Sequence, residues 1–335
     1  IHDNNVLKYW FATQKYLRNY IGKYNLGSKI ESEKKICRFT GLKYTGNSCY
    51  QDSVLLALLA IPNDFITENI LERDMKSVSK MPNREIVYSC DEKSDCKTRR
   101  SIQKELVHIA KSMRGEGEKE EYCSKLRSLF KTNKQSFHGT GMQDAGEFLQ
   151  YLFAIFQVHG VVQSRTSMLT NKIGDIPIVN KKTIYETSPM VLIPSQNIID
   201  NVSIETFLNH KEDVILDMKN LYRGADGVNY HRRIETVDII RAEYLVFYAQ
   251  RLYETKRNYN NIVPIKQIKL DNILNLFAII VHRNYHYTCY IKCDKNWFYY
   301  NDLSDNIVYV GTYNDMLKTK PSVKSEGVLY FYKVD

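Results

Sequence analysis

The chain has 335 residues, enough for one large domain or two closely joined domains. Hydrophobic residues make up 43% and charged residues 25%, ordinary proportions for a soluble globular protein, and no run of about 18 apolar residues indicates a membrane span. The net charge is +9, but the basic residues are interspersed with acidic ones, so we expect no nucleic-acid partner.

Seven cysteines are expected to be reduced thiols, because their number is odd and none forms a C-x-x-C pair. A structural zinc site needs four ligands at short paired spacings, which these cysteines do not offer, so we expect no metal. The first residues also lack the pattern of a signal peptide. We therefore expect an intracellular protein of the cytoplasm or nucleus.

Hydrophobic periodicity predicts helices in the first half of the chain, at residues 5–25, 49–61, 99–113, 119–131 and 142–157. From about residue 172 onward, short runs rich in Ile, Val, Tyr and Phe are separated by turn residues and predict strands. This order predicts an α+β protein with a helical part and a mostly antiparallel β part. We interpret 1–38 as an N-terminal helical extension and 39–335 as one domain, mainly helical in 39–165 and mainly β in 166–335.

Cys49 has a position that suits a nucleophile. Gly46-Asn47 is a turn dipeptide, and Ser48 with Gln51 has the spacing of a capping box, which makes Cys49 the first helical residue. Free backbone N–H groups and the helix dipole at that position would lower the pKa of the thiol. The competing interpretation is a small buried hydrophobic residue, which is common for cysteine.

His286 is the candidate base. The aromatic and β-branched segments 286–293 and 297–302 predict a hairpin with its turn near Asp294, which places His286 opposite about residue 302. Asn301 or Asp302 would then accept a hydrogen bond from one imidazole nitrogen while the other faces a thiol. The competing interpretation is a strand histidine without a catalytic role.

The chain contains three notable segments in this order: "GLKYTGNSCYQDSVLLALL", "GMQDAGEFLQYLF" and "YHYTCYIKCDKNWFYYND". They resemble motifs of the ubiquitin-specific protease family, in which the motifs occur in the same order. The resemblance spans residues 40 to 310 and implies a papain-like cysteine protease fold with a helical thumb, an antiparallel β palm and fingers. It implies Cys49 as nucleophile, His286 as base and Asn301 as the orienting residue, with Asp302 assisting or replacing it. The implied activity is removal of ubiquitin or a ubiquitin-like modifier after its C-terminal glycine, by a thiol-dependent isopeptidase without a cofactor.

The same resemblance assigns the binding of the modifier's tail. Asp144 and Glu147 are three residues apart on one helix face, where their carboxylates would bind the arginines that ubiquitin carries near its C-terminus. Tyr285 and Tyr287, on either side of His286, are also expected to contact the tail. The competing interpretation is a solvated acidic pair.

The chain departs from the family around the oxyanion. Tyr44 stands where the family usually has an Asn that donates to the oxyanion of the tetrahedral intermediate. Backbone N–H groups near Cys49, helped by the Tyr44 hydroxyl, are the expected replacement. We therefore assign the oxyanion region to Tyr44, Asn47 and Ser48.

Further departures indicate a divergent member of the family, and the low Gly and Pro content with 25 Tyr suggests a viral or protozoan origin. Asp52 stands where the family tends to have Asn, and Tyr285 replaces a glycine. The loop between His282 and His286 is short, and the paired zinc cysteines are missing, which predicts a reduced, zinc-free fingers region. The alternatives are a protease specific for SUMO or another ubiquitin-like modifier, and a catalytically weak ubiquitin-binding module.

Overall fold

The computed structural model describes residues 37–74, 93–130, 137–170, 179–215, 222–223, 227, 229–230, 232–253, 256–304 and 307–334. Internal contacts divide the chain into residues 1–37 and 38–335. The predicted helix at 5–25, and with it almost all of the predicted N-terminal extension, lies outside the described residues. The fold below is that of the second unit.

The helices precede most of the strands. Helical segments are Cys49–Leu59 (α1), Asp64–Ile66 (α2), Lys93–Met113 (α3), Ser124–Leu129 (α4), Ala145–Phe156 (α5), Tyr313–Thr319 (α6) and Ser322–Ser325 (α7), with a π-helical turn at Thr67–Leu71 and 3₁₀ turns at Ser195–Asn197 and Ile204–Leu208. Every residue of α1 is buried, including the polar Gln51, Asp52 and Ser53 near its start, and the residues that follow, from Val54 to Leu59, are all apolar. Helices α3 and α5 and two strands of the large sheet, Ile273–Arg283 and His286–Cys293, pack against it.

The strands form two main sheets. They are Val161–Thr170 (β1), Val179–Ser188 (β2), Val191–Pro194 (β3), Val202–Ser203 (β4), Asn209–Ile215 (β5), Tyr222–Arg223 (β6), Asn229–Tyr230 (β7), Arg232–Ala242 (β8), Tyr244–Gln250 (β9), Leu252–Tyr253 (β10), Lys256–Arg257 (β11), Ile262–Val263 (β12), Gln267–Lys269 (β13), Ile273–Arg283 (β14), His286–Cys293 (β15), Asn296–Tyr300 (β16), Val308–Gly311 (β17) and Gly327–Val334 (β18). The eight-stranded sheet has the order β17-β16-β15-β14-β18-β9-β3, with β13 also paired to β14. The four-stranded sheet has the order β2-β1-β8-β5.

The central strands of the large sheet are buried on both faces. In β18, Leu329 and Phe331 belong to the core shared with the helices, while Tyr330 and Tyr332 belong to a second core on the opposite face. This alternation is the two-residue period of a strand. The sheet is thus a rigid support for side chains at its end.

In the four-stranded sheet, an arginine joins three strands. Arg165 of β1 forms ion pairs with Glu186 of β2 at 2.9 Å and with Glu235 of β8 at 2.6 Å. Such cross-strand pairs add to the backbone ladder of the sheet.

Several sequence predictions are confirmed. The helices predicted at 49–61, 99–113 and 142–157 exist as α1, α3 and α5, and the predicted hairpin exists as β15 and β16, with Asp294 in its turn at φ 55°. Helix α4 is shorter than the predicted 119–131. The expectation of reduced cysteines is wrong for Cys37 and Cys293, which are disulfide-bonded, because an odd count excludes only complete pairing.

A two-residue turn precedes His286. Arg283 pairs with His286 across the β14–β15 hairpin, and Asn284 and Tyr285 between them have φ of 48° and 61°. Positive φ at both central residues is the mark of a type I′ hairpin turn. The short loop expected at this place is confirmed.

Within the described segments, no single helix has the length and apolar character of a membrane span. The helices Cys49–Leu59 and Asp64–Leu71, bent by 109°, meet the criterion only together.

Candidate active site

A tight turn precedes Cys49. Gly46 and Asn47 both have positive φ, 49° and 57°, as the turn dipeptide predicted. The Asn47 side chain fixes this turn, since its Nδ2 donates to the Thr140 carbonyl at 2.9 Å and its Oδ1 accepts from the Tyr44 hydroxyl at 2.8 Å. Cys49 is the first residue of α1, as predicted.

Arg127 anchors the same turn from α4, a role that the sequence did not reveal. Its guanidinium is buried and donates to the carbonyl oxygens of Thr45 at 2.7 Å, Gly46 at 3.0 Å and Gly139. These charge-assisted bonds satisfy a cation that is costly to bury alone. No local pattern marks such an arginine, because most arginines on short helices lie at the surface.

The predicted capping box is wrong. Ser48 makes no capping hydrogen bond because its hydroxyl accepts from the Thr45 N–H at 2.8 Å and donates to Asp52 Oδ2. Gln51 is turned into the core, where its amide donates to the Phe137 carbonyl at 3.1 Å. The Ser48 hydroxyl is therefore already hydrogen-bonded. The prediction that Ser48 belongs to the oxyanion region now concerns only its backbone N–H.

The Cys49 thiol has a raised pKa, contrary to the expected lowering. Only 6% of the residue is exposed, and this burial raises the pKa to about 11, with Asp302 and Asp52 adding to the effect. Backbone hydrogen bonds from Tyr287 and Tyr50 act in the opposite direction. The effect of burial on the thiol pKa is larger than that of the N–H groups at the helix start, because a buried thiolate loses more hydration energy than two N–H groups replace.

The His286 ring has two acceptors on one side. Its Nε2 lies 2.9 Å from Asn301 Oδ1 and 3.3 Å from Asp302 Oδ1. The Asn301 oxygen also accepts the Leu303 N–H at 3.1 Å, so it cannot be a donor, and Nε2 carries the ring proton. In the neutral ring, Nδ1 is therefore the free basic nitrogen.

Backbone contacts join His286 and Cys49 into one site. The backbone amide of Tyr287, directly after His286, lies close enough to the Cys49 sulfur to lower the pKa of the thiol, and the centroid of the Tyr44 ring lies 6.3 Å from that of the His286 ring. The Tyr44 N–H also donates to the Asp302 carbonyl at 2.9 Å. The structure thus brings together the predicted catalytic residues from opposite ends of the chain.

A neighbouring histidine is not an alternative base. His282 stacks on the Tyr287 ring with centroids 4.1 Å apart, and Arg257 lies 3.1 Å from its Nδ1. Burial, and then the Arg257 charge, lower its pKa to about 4. His282 is neutral at pH 7, and its Nδ1 accepts from the guanidinium.

Asp144 is held by the fold more tightly than the sequence suggested. As the N-cap of α5, its Oδ1 accepts from the Gly146 and Glu147 N–H groups at 2.7 and 3.1 Å. The Tyr248 hydroxyl donates to Oδ1 at 2.7 Å and the Tyr287 hydroxyl to Oδ2 at 3.1 Å. Asp144 is therefore structural as well as a candidate for tail binding, and the helix-face argument missed this cap.

The remaining candidates for tail binding differ in exposure. Glu147 is exposed, and partial desolvation followed by the Asp144 charge raises its pKa, so a cation would be favourable there. Tyr285 is 79% exposed at the hairpin tip, whereas Tyr287 is 4% exposed and engaged with Asp144. The side chains of Glu147 and Tyr285 are therefore accessible to a bound tail, and the prediction of tail contact applies to them more directly than to the buried side chain of Tyr287.

No group of three or more His, Cys, Asp or Glu residues in the described ranges is arranged to hold a metal. The groups available for chemistry are the Cys49 thiol, the His286 imidazole with its Nε2 proton directed at the Asn301 oxygen, and the buried Asp302 carboxyl group. This combination defines the class of cysteine hydrolases.

Comparisons with known proteins specify this class further. Residues 40–332 match the family described as ubiquitin carboxyl-terminal hydrolase. The chain belongs to this family and is a cysteine-type deubiquitinating enzyme. No curated protein matches the sequence.

Solved structures have a similar fold. One chain of the SAGA Ubp8/Sgf11/Sus1/Sgf73 DUB module bound to ubiquitin aldehyde matches with a TM-score of 0.62 and 15% identity, over 96% of this chain and 75% of that chain. A second structure of the module, bound to monoubiquitin, matches with a TM-score of 0.58, 16% identity and the same coverage. The predicted α+β fold of a ubiquitin-specific protease is confirmed.

Proposed function

We propose that Cys49 is the nucleophile of this deubiquitinase and attacks the carbonyl of ubiquitin's C-terminal glycine. His286 Nδ1 takes the thiol proton as sulfur bonds to carbon, and the same proton then passes to the departing lysine amine. Water hydrolyses the resulting thioester and regenerates the thiol. The observation that carries this proposal is the Nε2 hydrogen bond to Asn301, which leaves Nδ1 unprotonated.

The neutral thiol favours general-base catalysis over a resting ion pair. A thiol with a pKa of about 11 holds its proton at pH 7, so the proton must be removed during attack. A tail lying over the site would exclude water and place the carbonyl next to sulfur. The N–H groups at the start of α1 are the proposed donors to the oxyanion, and the Tyr44 hydroxyl would join them by releasing Asn47 Oδ1, to which it donates in this structure.

The proposed substrate is a modifier whose tail carries arginine. Glu147 is an exposed carboxylate beside the fixed Asp144, and a guanidinium would offset the repulsion between these two charges. Tyr285, exposed beside His286, is proposed to lie against the tail. Ubiquitin has arginines in its tail and fits this arrangement.

Fluorogenic substrates of ubiquitin and SUMO test this proposal. The wild-type chain should release the fluorophore from ubiquitin, whereas Cys49→Ala should abolish turnover and retain ubiquitin binding. Cys289→Ala is the matched control, because Cys289 is also a buried free thiol but lies inside β15. Cleavage of SUMO alone, or turnover by Cys49→Ala, would contradict the proposal.

A further inference from the structure

A pair of carboxyl groups lies buried behind the proposed catalytic residues. Asp52, on the first turn of α1, is fully buried, and the side chain of Asp302 is fully buried as well. The two carboxyl groups lie next to each other, close enough to share a proton. They connect the helix of the proposed nucleophile with the loop that faces the proposed base.

Two ionised carboxylates are not stable in this position. No lysine or arginine among the described residues forms an ion pair with either group, and repulsion between adjacent charges in a buried site keeps one of them protonated. The titratable groups that face the pair are the following: Cys49, Tyr50, Cys123, His286 and Tyr300. Of these, only His286 becomes a cation.

The contacts indicate which carboxyl group holds the proton. Asp52 Oδ2 accepts from the Ser48 hydroxyl, whereas the backbone N–H groups of Asp302 and Leu303 approach the Asp302 carboxyl and favour its charged form. A proton on Asp52 directed at Asp302 satisfies both residues. Asp302 Oδ1, at 3.3 Å from His286 Nε2, is the better place for the negative charge.

The directions of the pKa shifts agree with this assignment. Burial raises the pKa of Asp52 well above its ordinary value. Burial also raises the pKa of Asp302, but the hydrogen bond from Asp52 and the charge of His286 act against this rise. The proton therefore stays with Asp52.

We propose that Asp52 is a positioning residue, a neutral acid whose O–H bond to Asp302 keeps that group a carboxylate facing His286. The inference rests on the proposed role of His286. The carboxylate stabilises the imidazolium that forms when the thiol proton is transferred. Asp52 itself touches neither substrate nor sulfur in this account.

Two substitutions of Asp52 separate this role from simple packing. Asp52→Asn keeps a neutral donor toward Asp302 and an acceptor for Ser48, so kcat/KM should stay within about threefold of wild type. Asp52→Ala removes the donor, so Asp302 takes up a proton and its charge near His286 is lost. We expect kcat/KM about tenfold lower, and the acid limb of its pH profile about one unit lower in pH.

Ser53→Ala is the matched control. Ser53 is the next residue on α1, and its buried hydroxyl makes no hydrogen bond among the described residues. Its kcat/KM and acid limb should equal those of wild type. An equal loss in Asp52→Asn and Asp52→Ala, or an acid limb that Asp52→Ala does not move, would overturn the proposal.

Infrared spectroscopy tests the pair without any substrate. The difference spectrum of wild type minus Asp52→Asn at neutral pH should contain the band of a protonated carboxylic acid, and its absence would overturn the proposal. This readout also decides the matter if Asp52→Ala does not fold. If the wild-type chain cleaves no ubiquitin but shows the band, the proposed function fails while the acid pair stands.

Discussion

Replacing Asn301 by alanine removes the hydrogen-bond acceptor that fixes the proposed base. The 2.9 Å bond from His286 Nε2 to Asn301 Oδ1 holds the ring, which becomes charged during the reaction. A hydrogen bond to a charged group is worth about 1.5–3 kcal/mol, and each 1.4 kcal/mol corresponds to about a factor of ten in rate. We therefore expect kcat to fall roughly 10- to 100-fold. KM should stay unchanged, because Asn301 lies behind the ring, away from the proposed tail contacts.

The assay is steady-state hydrolysis of a ubiquitin–fluorophore substrate. Asn296→Ala is the matched control, because it makes the same change in the same hairpin, where the one side-chain hydrogen bond of Asn296 among the described residues is that from the exposed Tyr309 hydroxyl at 3.4 Å. It should leave kcat and KM as in wild type. An unchanged kcat in Asn301→Ala would refute the reasoning. If kcat falls instead in Asp302→Asn, the orienting role belongs to Asp302.

Three further predictions concern the thiol, the tail site and the turn before Cys49. In the free enzyme, the rate of Cys49 alkylation by iodoacetamide should rise with pH up to about pH 11, because the raised pKa leaves little thiolate at pH 7. A rate that is already constant from acidic pH onward would instead indicate an ion pair of Cys49 with His286. Glu147→Gln should raise KM for ubiquitin several-fold without changing the melting temperature. Asp144→Ala should raise KM and also lower the melting temperature, because it removes a helix cap worth about 1 kcal/mol. Equal melting temperatures of the two variants would contradict the capping role. Arg127→Met should lower both the melting temperature and kcat, since three carbonyl groups lose their donor, and unchanged values would show that the turn needs no anchor.

The sequence predicted the features that depend on neighbouring residues. The turn at Gly46-Asn47, the helix from Cys49 and the hairpin that carries His286 follow from local patterns, and the structure has all three. The ladder of that hairpin ends at Cys289–Tyr300, so Asn301 follows directly after the last strand residue. A hairpin has a fixed register, which is why spacing narrowed the partner of His286 to Asn301 or Asp302.

Features that depend on distant partners were not readable. Ser48 has the spacing of a capping box with Gln51, but its hydroxyl bonds to Asp52 because the helix start is buried. The thiol pKa follows from the same burial, which the sequence does not quantify. The role of Asp144 as a cap joined to Tyr248 depends on residues 104 positions apart.

The most direct test of Cys49 as the nucleophile uses ubiquitin that carries an electrophile at its C-terminus. After the reaction, peptide mass spectrometry identifies the modified residue. We predict a single adduct on Cys49 in the wild-type chain and a much slower reaction in His286→Ala. An adduct on Cys123 or Cys289, or no adduct while ubiquitin still binds, would contradict the account.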